Sequence, residues 1–334
     1  MTNPFNTEQG AEIGDRLNPL VAGSGATDRA GRAPRTVQTA DGRVLPTRRR
    51  RTFPRWFADT GWRHLIGVVM LVFAAFPLLY VLSASLNPTG TLVGSNALFR
   101  VIDFSNYVEL FQRPQQPYAA WFLNSLVIGL VTSAGTVFLG ALAAYAFSRL
   151  RFTGRRVGLL TLLLVQMFPQ LLGVVAIFLL MSGIGEVFPQ VGIGTQSGLI
   201  LVYLGGALGV NTYLMYGFFN TIPVSIDEAA KLDGASHAQI FFGIVLRLVA
   251  PILAVVGLLS FIGTFSEFVI ASIMLTDPQT QTLAVGLYQF VSQETSRNWA
   301  IFSAGAVLAA IPVMALFLYL QKYIIGGLTA GSVK

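Results

Sequence analysis

Six long apolar stretches, almost free of charge, fill the sequence from Leu65 onward. Each is near or above the ~20 residues that an α-helix needs to cross a bilayer. They lie at about residues 65–86, 121–146, 158–181, 198–219, 248–274 and 299–321. Of the 22 basic and 15 acidic residues in the chain, only Glu267 falls inside one of them. The sequence therefore predicts an all-α, polytopic membrane protein with six transmembrane helices.

The predicted membrane domain, 65–321, lies between a basic head, 1–64, and a short tail, 322–334. The head contains eleven Arg and no sustained apolar period, which is typical of a disordered segment. Its run Arg48–Arg51 admits two interpretations, a nucleic-acid patch or an anchor on anionic lipid. The second is favoured because an apolar span begins soon after the run.

The loops between the stretches differ sharply in basic residues, which sets the predicted orientation. Nineteen Lys and Arg lie on the side that holds both termini, and three lie on the other. Because cytoplasmic loops carry the excess of Lys and Arg, both termini are expected in the cytoplasm. The basic pI is then explained by topology, and no nucleic-acid partner is expected.

Catalytic chemistry has few candidates in this chain. There is no Cys, and the two His residues, His64 and His237, are far apart in sequence, so no metal site is expected. The spans contain no paired carboxylates for acid–base catalysis. No phosphate-binding Gly-x-x-x-x-Gly-Lys-Ser/Thr motif is present, so any ATP hydrolysis must occur on a separate chain. A transport subunit is expected rather than an enzyme.

The predicted cytoplasmic loop 220–247 carries the most specific pattern. Ser225 followed by Glu228 predicts a capping box, with a short helix that starts near Ile226 and ends at Gly234. Ser236 and Gln239 repeat the capping pattern and begin the next helix. Four mostly small residues share one side of the first helix and would let another protein approach closely: Ile226, Ala229, Ala230 and Asp233. Spacing alone leaves open an ordinary capped helix.

The segment Glu228-Ala-Ala-x-x-x-Gly234, followed by Ile244-x-Leu246, resembles the EAA signature of permease subunits of binding-protein-dependent ABC importers. The resemblance implies that this loop forms a coupling helix, which docks in a cleft of the ATPase. This sequence departs from the family at one position: Arg247 stands where the family usually has Pro, and Pro251 follows four residues later.

Further motifs narrow the resemblance. Gln166-Met-Phe-Pro169, Leu204-Gly-Gly-Ala207, Phe261–Glu267, Thr282-Leu-Ala-Val-Gly286 and the terminal Gly327–Lys334 are similar to the smaller, six-span permease subunit of maltose/maltodextrin importers. The resemblance covers about residues 65–334. It implies a bacterial inner-membrane subunit that forms half of a sugar path. Another sugar such as trehalose, or an ion-coupled secondary transporter, is the alternative function.

The partners implied by the resemblance are a second permease subunit, two ATPase subunits that bind ATP and Mg²⁺, and an extracytoplasmic sugar-binding protein. Membrane lipid surrounds the complex. No cofactor is expected on this chain, and no sugar-binding residue is assigned.

The resemblance also suggests three sets of contact residues. Contacts with the ATPase are expected from Glu228, Ala229, Ala230, Asp233 and Gly234. Val291, Ser292, Gln293, Glu294 and Thr295 would face the binding protein, unless their loop is a passive connector. Thr329, Ala330, Gly331 and Ser332 would sense the nucleotide state of the ATPase, unless they are a frayed terminus.

Glu267 is the one acidic residue inside a predicted span, and such groups are costly in lipid. Two interpretations stay open: a position near the translocation path, or a structural role in helix packing.

Overall fold

The computed structural model describes residues 36–38, 44–46, 57–88, 98–207, 209–292 and 299–330, and it divides into two compact units, Met1–Phe73 and Ala74–Lys334. In the first unit, strands β1 (Thr36–Gln38) and β2 (Val44–Pro46) pair antiparallel, with Val37 opposite Leu45. These strands are rich in β-branched residues, and the expected disorder of most of the head stays a prediction. Most of the head lies outside the described residues.

Helices make up almost all of the described chain. A π-helical turn, Phe57–Gly61, leads into α1. The helices are α1 (Trp62–Ser85), α2 (Ser105–Gln112), α3 (Tyr118–Arg149), α4 (Arg155–Gln166), α5 (Gln170–Val187), α6 (Gln196–Ala207), α7 (Val210–Phe219), α8 (Val224–Leu232), α9 (His237–Leu248, π-helical over Ile240–Val245), α10 (Ala250–Ser266), α11 (Val269–Met274), α12 (Leu283–Ser292) and α13 (Trp299–Ala330). A 3₁₀ turn, Pro189–Val191, follows α5. The all-α prediction for the membrane domain is confirmed.

The described helices include three that are long and apolar enough to cross a membrane without a break, namely α1, α3 and α13. Two bent pairs raise the number to five if each pair is one span: α6 with α7, at 52°, and α9 with α10, at 78°. The predicted span 158–181 is not one helix, because α4 ends at Gln166 and α5 begins after Pro169. Proline lacks an N–H and disfavours helical backbone in the residue before it. The count of six spans stays a prediction.

Aromatic packing joins α3 to α12. Trp121 on α3 is fully buried, and its indole N–H donates to the carbonyl of Pro278 at 2.7 Å. Its ring lies so close to Gly286 on α12 that a Cβ added there would overlap it. Gly286, which ends the Thr282–Gly286 motif, is therefore needed for close packing of the two helices.

Candidate functional site

The short helix α8 ends where the sequence predicts. Asp233 is its C-cap, and Gly234 has a left-handed φ of +84°. The N–H of Gly234 donates to the carbonyl of Lys231 at 3.0 Å, and the N–H of Ala235 donates to that of Ala230, also at 3.0 Å. These two bonds form a Schellman motif, which satisfies carbonyls at the helix end. The predicted role of Gly234 as the helix stop is confirmed.

The start of α8 differs from the prediction. The helix begins at Val224 with Pro223 as its N-cap, and no side chain caps it. Ser225 therefore lies inside the first turn, and the predicted capping box with Glu228 is wrong. The physical reason is Pro223, whose φ of −57° suits the start of a helix, so the helix begins two residues earlier than predicted and Ser225 no longer occupies the N-cap position.

The second predicted capping box is present. The N–H of Gln239 donates to Ser236 Oγ at 3.3 Å, and the N–H of Ser236 donates to Gln239 Oε1 at 2.8 Å. This box starts α9, which turns by 78° into α10. Pro251 occupies the first turn of α10, a position that proline favours. The chain therefore enters the fifth predicted span at Ala250, with the exposed Arg247 just before it.

The faces of α8 are also different from those predicted. Asp227 and Ala230 are buried, and Ile226 packs on the core formed by α3, α7 and α9. The side that holds Ile226 and Ala230 is therefore not a free surface. The residues of α8 that face outward are a different set from the predicted one. Leu232 is 90% exposed, and four further residues are also exposed: Val224, Ser225, Glu228 and Ala229. Asp233 and Gly234 are exposed beyond the end of α8.

A buried ion pair fastens α8 to the end of α3. Arg149 Nε lies 2.5 Å from Asp227 Oδ2, and the two side chains are only 6% and 5% exposed. Arg149 also donates from Nη2 to the carbonyl of Ile222 at 3.0 Å. Ser148 Oγ donates to Asn220 Oδ1 at 3.1 Å. The loop is therefore held at three points on the C-terminal end of α3, where a cation is also favoured by the helix dipole.

Sequence reasoning missed this ion pair. From the sequence, Arg149 has a role only in the count of basic residues on one side of the membrane, and Asp227, next to Glu228, has no assigned role. The available signal was an acid in the first turn of the loop helix, next to the motif, together with an Arg at the end of a long span.

A cavity of about 790 Å³ lies among α3, α5, α6 and α10, within the second compact unit. Three of the motifs noted in the sequence meet there: Gln166 and Phe168 from the first, Gly205 and Gly206 from the second, and Gly263, Thr264 and Glu267 from the third. Gln166 Nε2 donates to the carbonyl of Gly206 at 3.2 Å and so links two of these motifs. Sequence reasoning missed the polar groups that α3 adds, Thr132 and Thr136, because Thr in an apolar helix gives no distinct signal.

Glu267 lies at the break between α10 and α11, as the C-cap of α10. Its Oε1 accepts from the N–H of Ile270 at 2.8 Å, and its Oε2 accepts from the N–H of Ala271 at 3.0 Å and from the hydroxyl of Tyr203 at 2.6 Å. The carboxylate thus caps α11 and ties it to α6, and it also lines the cavity. These bonds support the structural interpretation, and a position near the translocation path stays a prediction.

The remaining predicted residues are only partly described. Val291 and Ser292 end α12, while Gln293, Glu294 and Thr295 lie outside the described residues. α13 continues through Ala330, so Thr329 and Ala330 are helical and the predicted tail 322–334 does not begin where the helix ends. Gly331 and Ser332 lie outside the described residues. Among the residues the structure describes, no group of three or more His, Asp or Glu could hold a metal ion.

Comparison with known proteins decides the family. Residues 136–329 match the family described as "Binding-protein-dependent transport system inner membrane component". The chain belongs to this family. The galactooligosaccharides transport system permease protein GanQ of Bacillus subtilis is 40% identical over 272 residues, which cover 81% of this chain and 94% of GanQ. The maltose/maltodextrin permease MalG of Yersinia pestis is 38% identical over 281 residues, 81% of this chain and 92% of MalG.

The fold agrees with this membership. A bacterial ABC transporter that imports the acidic polysaccharide alginate contains a chain that superposes with a TM-score of 0.69 at 23% identity, over 82% of this chain and 99% of that chain. The ABC importer permease fold is therefore shown, and the resemblance seen in the EAA segment is confirmed. The family is an inner-membrane component of transport systems, and the relatives are named as transport permease proteins.

Proposed function

We propose that this chain is a permease subunit of an ATP-driven importer of maltose/maltodextrin-type oligosaccharides, coupled to a separate ATPase through α8. The relatives support the cargo class, since they are named for maltose, maltodextrin and galactooligosaccharides. A related sugar such as trehalose is the alternative cargo. An ion-coupled mechanism has less support, because Glu267 is the one acid in a predicted span and its oxygens are already hydrogen-bonded.

The observation that carries the proposal is the outward face of α8. Leu232 exposes 90% of its surface next to the exposed Glu228 and Ala229, on a helix whose other side is pinned by the Asp227–Arg149 pair. A large apolar side chain that points outward from a helix fixed on its other side is suited to a pocket on a partner protein. In this proposal Glu228, Ala229, Asp233 and Gly234 contact the ATPase, while Ala230 supports the helix from its buried side.

The proposed assembly contains a second permease subunit, two ATPase subunits that bind ATP and Mg²⁺, and an extracytoplasmic binding protein. A solved alginate ABC transporter in complex with an alginate-pentasaccharide-bound periplasmic protein supports the binding protein in this proposal. In the proposed topology, six spans place both termini in the cytoplasm. Residues Val291–Thr295 then meet the binding protein, and Thr329–Ser332 lie near the ATPase pair.

When the two ATPase subunits close on ATP, they would pull α8 and the corresponding coupling helix of the second permease subunit together. Because α8 is fastened to α3 by the buried ion pair and its flanking hydrogen bonds, the pull passes to the membrane helices. The path then changes from inward-facing to outward-facing, and the binding protein releases its sugar into it.

Leu232→Asp tests the docking face, with Leu98→Asp as the matched control. Leu98 is an exposed leucine in a described segment before α2, which the proposed topology places on the opposite side of the membrane from α8. Each tagged full-length variant is purified in mild detergent from its native membrane, and the co-purifying chains are identified by mass. Wild type and Leu98→Asp should retain both a P-loop ATPase and a second permease. Leu232→Asp should retain the permease and lose the ATPase.

Two results would contradict the proposal. Retention of the ATPase by Leu232→Asp at the wild-type level would show that α8 is not the docking element. A wild-type complex without any ATPase, active in vesicles on an ion gradient alone, would assign the chain to the ion-coupled class.

A further inference from the structure

An exposed apolar stripe runs along the short helix α2 and its N-cap. Its three members are 64%, 55% and 58% exposed, and they follow one another at i, i+4 and i+7 on one side of the helix: Phe104, Val108 and Phe111. The neighbouring side is polar and exposed, and it has the same spacing: Ser105, Glu109 and Gln112. An apolar face beside a polar face is typical of a helix that lies in the plane of a membrane interface.

The third side of α2 fixes how the helix is turned about its axis. Leu110 is fully buried, in a cluster that it shares with residues of α3 and α13. Asn106 is 5% exposed, and its Nδ2 donates to the carbonyl of Ser85 at 2.9 Å and to that of Asn87 at 3.0 Å. The hydroxyl oxygens of Tyr107 and Ser85 lie 2.8 Å apart. Because these contacts join α2 to the end of α1 and to the core, the stripe cannot turn inward without breaking them.

The neighbours of α2 give its depth in the membrane. The Phe111 ring meets the Tyr118 ring edge-on, with 5.3 Å between the centroids, and Tyr118 is the first residue of α3. Ile301, in the first turn of α13, belongs to the same cluster as Leu110. Both α3 and α13 are long and apolar enough to cross a membrane without a break. Helix α2 therefore lies where two spans leave the bilayer, at the boundary between lipid and water.

The size of the stripe decides between lipid and protein as the material that covers it. An aromatic side chain buries about 150–250 Å², so the exposed parts of the three side chains add up to roughly 300 Å². A stable protein–protein interface needs about 800 Å² on each partner. The polar side begins directly beside the stripe, so the apolar surface does not continue around α2 in that direction. A narrow apolar face of this kind suits the boundary between lipid headgroups and acyl chains.

We propose that α2 is an interfacial helix whose apolar stripe lies in the extracytoplasmic leaflet of the lipid bilayer. The polar side then faces water. Because α2 contacts the ends of α1, α3 and α13, the lipid contact anchors these three ends at one depth. The choice of leaflet rests on the topology given under the proposed function, whereas the contact with lipid does not.

The absence of cysteine from the chain makes a labelling test direct. Val108→Cys carries a thiol-linked fluorophore on the stripe, and Glu109→Cys carries it on the polar side as the matched control. Loss of the partly exposed pair of Glu109 with Arg113 changes stability little. The full complex of each variant is placed in phosphatidylcholine nanodiscs, with or without bromine on the acyl chains. Brominated lipid quenches a fluorophore in the bilayer, and added iodide quenches one in water.

Brominated lipid should quench Val108→Cys at least about twofold more than Glu109→Cys, since the apolar face of an interfacial helix lies roughly 5–10 Å into the boundary, and iodide should do the reverse. Phe111→Cys should behave like Val108→Cys. Equal quenching of Val108→Cys and Glu109→Cys by iodide would place the stripe in water and overturn the proposal. Quenching of Val108→Cys by neither agent would overturn it as well, because a protein would then cover the stripe. Equal quenching of both variants by brominated lipid would contradict a position at the boundary.

A second measurement tests the leaflet separately from the lipid contact. A membrane-impermeant thiol reagent should modify Glu109→Cys in right-side-out membrane vesicles and leave it unmodified in inside-out vesicles. The reverse result would overturn the proposed topology and the choice of leaflet. It would leave the lipid contact of the stripe in place if brominated lipid still quenches Val108→Cys. Modification in right-side-out vesicles without that quenching would overturn the interfacial helix alone.

Discussion

Breaking the Arg149–Asp227 pair should release α8 from the end of α3. Removal of one partner from a buried ion pair costs about 3–5 kcal/mol, because the other charge stays buried without compensation. Asp227→Asn keeps the volume and removes the charge that lies 2.5 Å from Arg149 Nε. We therefore expect the free energy of local unfolding of α8 to fall by about 3 kcal/mol.

Hydrogen–deuterium exchange of the full complex measures this opening directly. A loss of about 3 kcal/mol corresponds to roughly 100-fold faster exchange in the peptide that covers 224–234, up to the intrinsic rate. The matched control is Glu109→Gln, which breaks the Arg113–Glu109 pair on α2. That pair is partly exposed, at 28% and 52%, and is worth only about 0.3–0.5 kcal/mol.

A double variant completes the test. Replacing both partners of a buried pair by apolar residues is often neutral, so Arg149→Met with Asp227→Leu should regain most of the protection of α8. Wild-type exchange in the Asp227→Asn variant, or equal acceleration by Glu109→Gln, would refute the view that this pair fastens the loop.

Three smaller changes test other parts of the described structure. Gly234→Val should lower transport and destabilise the turn by about 1–2 kcal/mol because of the φ of +84°, while Gly234→Asn should be milder; uptake per ATP hydrolysed compares them. Gly286→Leu should destabilise the fold by about 1–3 kcal/mol or more, since the Trp121 ring occupies the space, and thermal unfolding in detergent measures it. Ser236→Ala should cost about 1 kcal/mol by removing the capping box with Gln239, seen as faster exchange in the first turn of α9.

The parts of the site that depend only on residues close in sequence could be predicted. The stop at Gly234 and the box at Ser236 are set within a few residues, and both are present. The box predicted at Ser225 is absent because two local signals compete there, and Pro223 takes the N-cap position instead. Local patterns predict well when one signal acts alone.

The parts that depend on tertiary contacts could not be predicted. Small residues on α8 do not indicate which side packs inward, and that side is chosen by the Asp227–Arg149 pair and by Ala230. The cavity likewise depends on the packing of helices that are distant in sequence. Thr132 has the same local surroundings as any threonine in an apolar helix, so its unpartnered hydroxyl is apparent only in the folded structure.

Helix α3 links the proposed docking helix to the cavity. It is unbroken from Tyr118 to Arg149, in contrast to the chain near Pro169 and Glu267, where helices end. Arg149, at the C-terminal end of α3, holds α8. Thr136 lies about 20 Å away along α3 and lines the cavity. A displacement of α8 by a docked ATPase would therefore reach the cavity wall without crossing a break. Since Ser260 on α10 donates to Thr136, the same displacement would either move α10 as well or separate these two hydroxyls on the cavity wall.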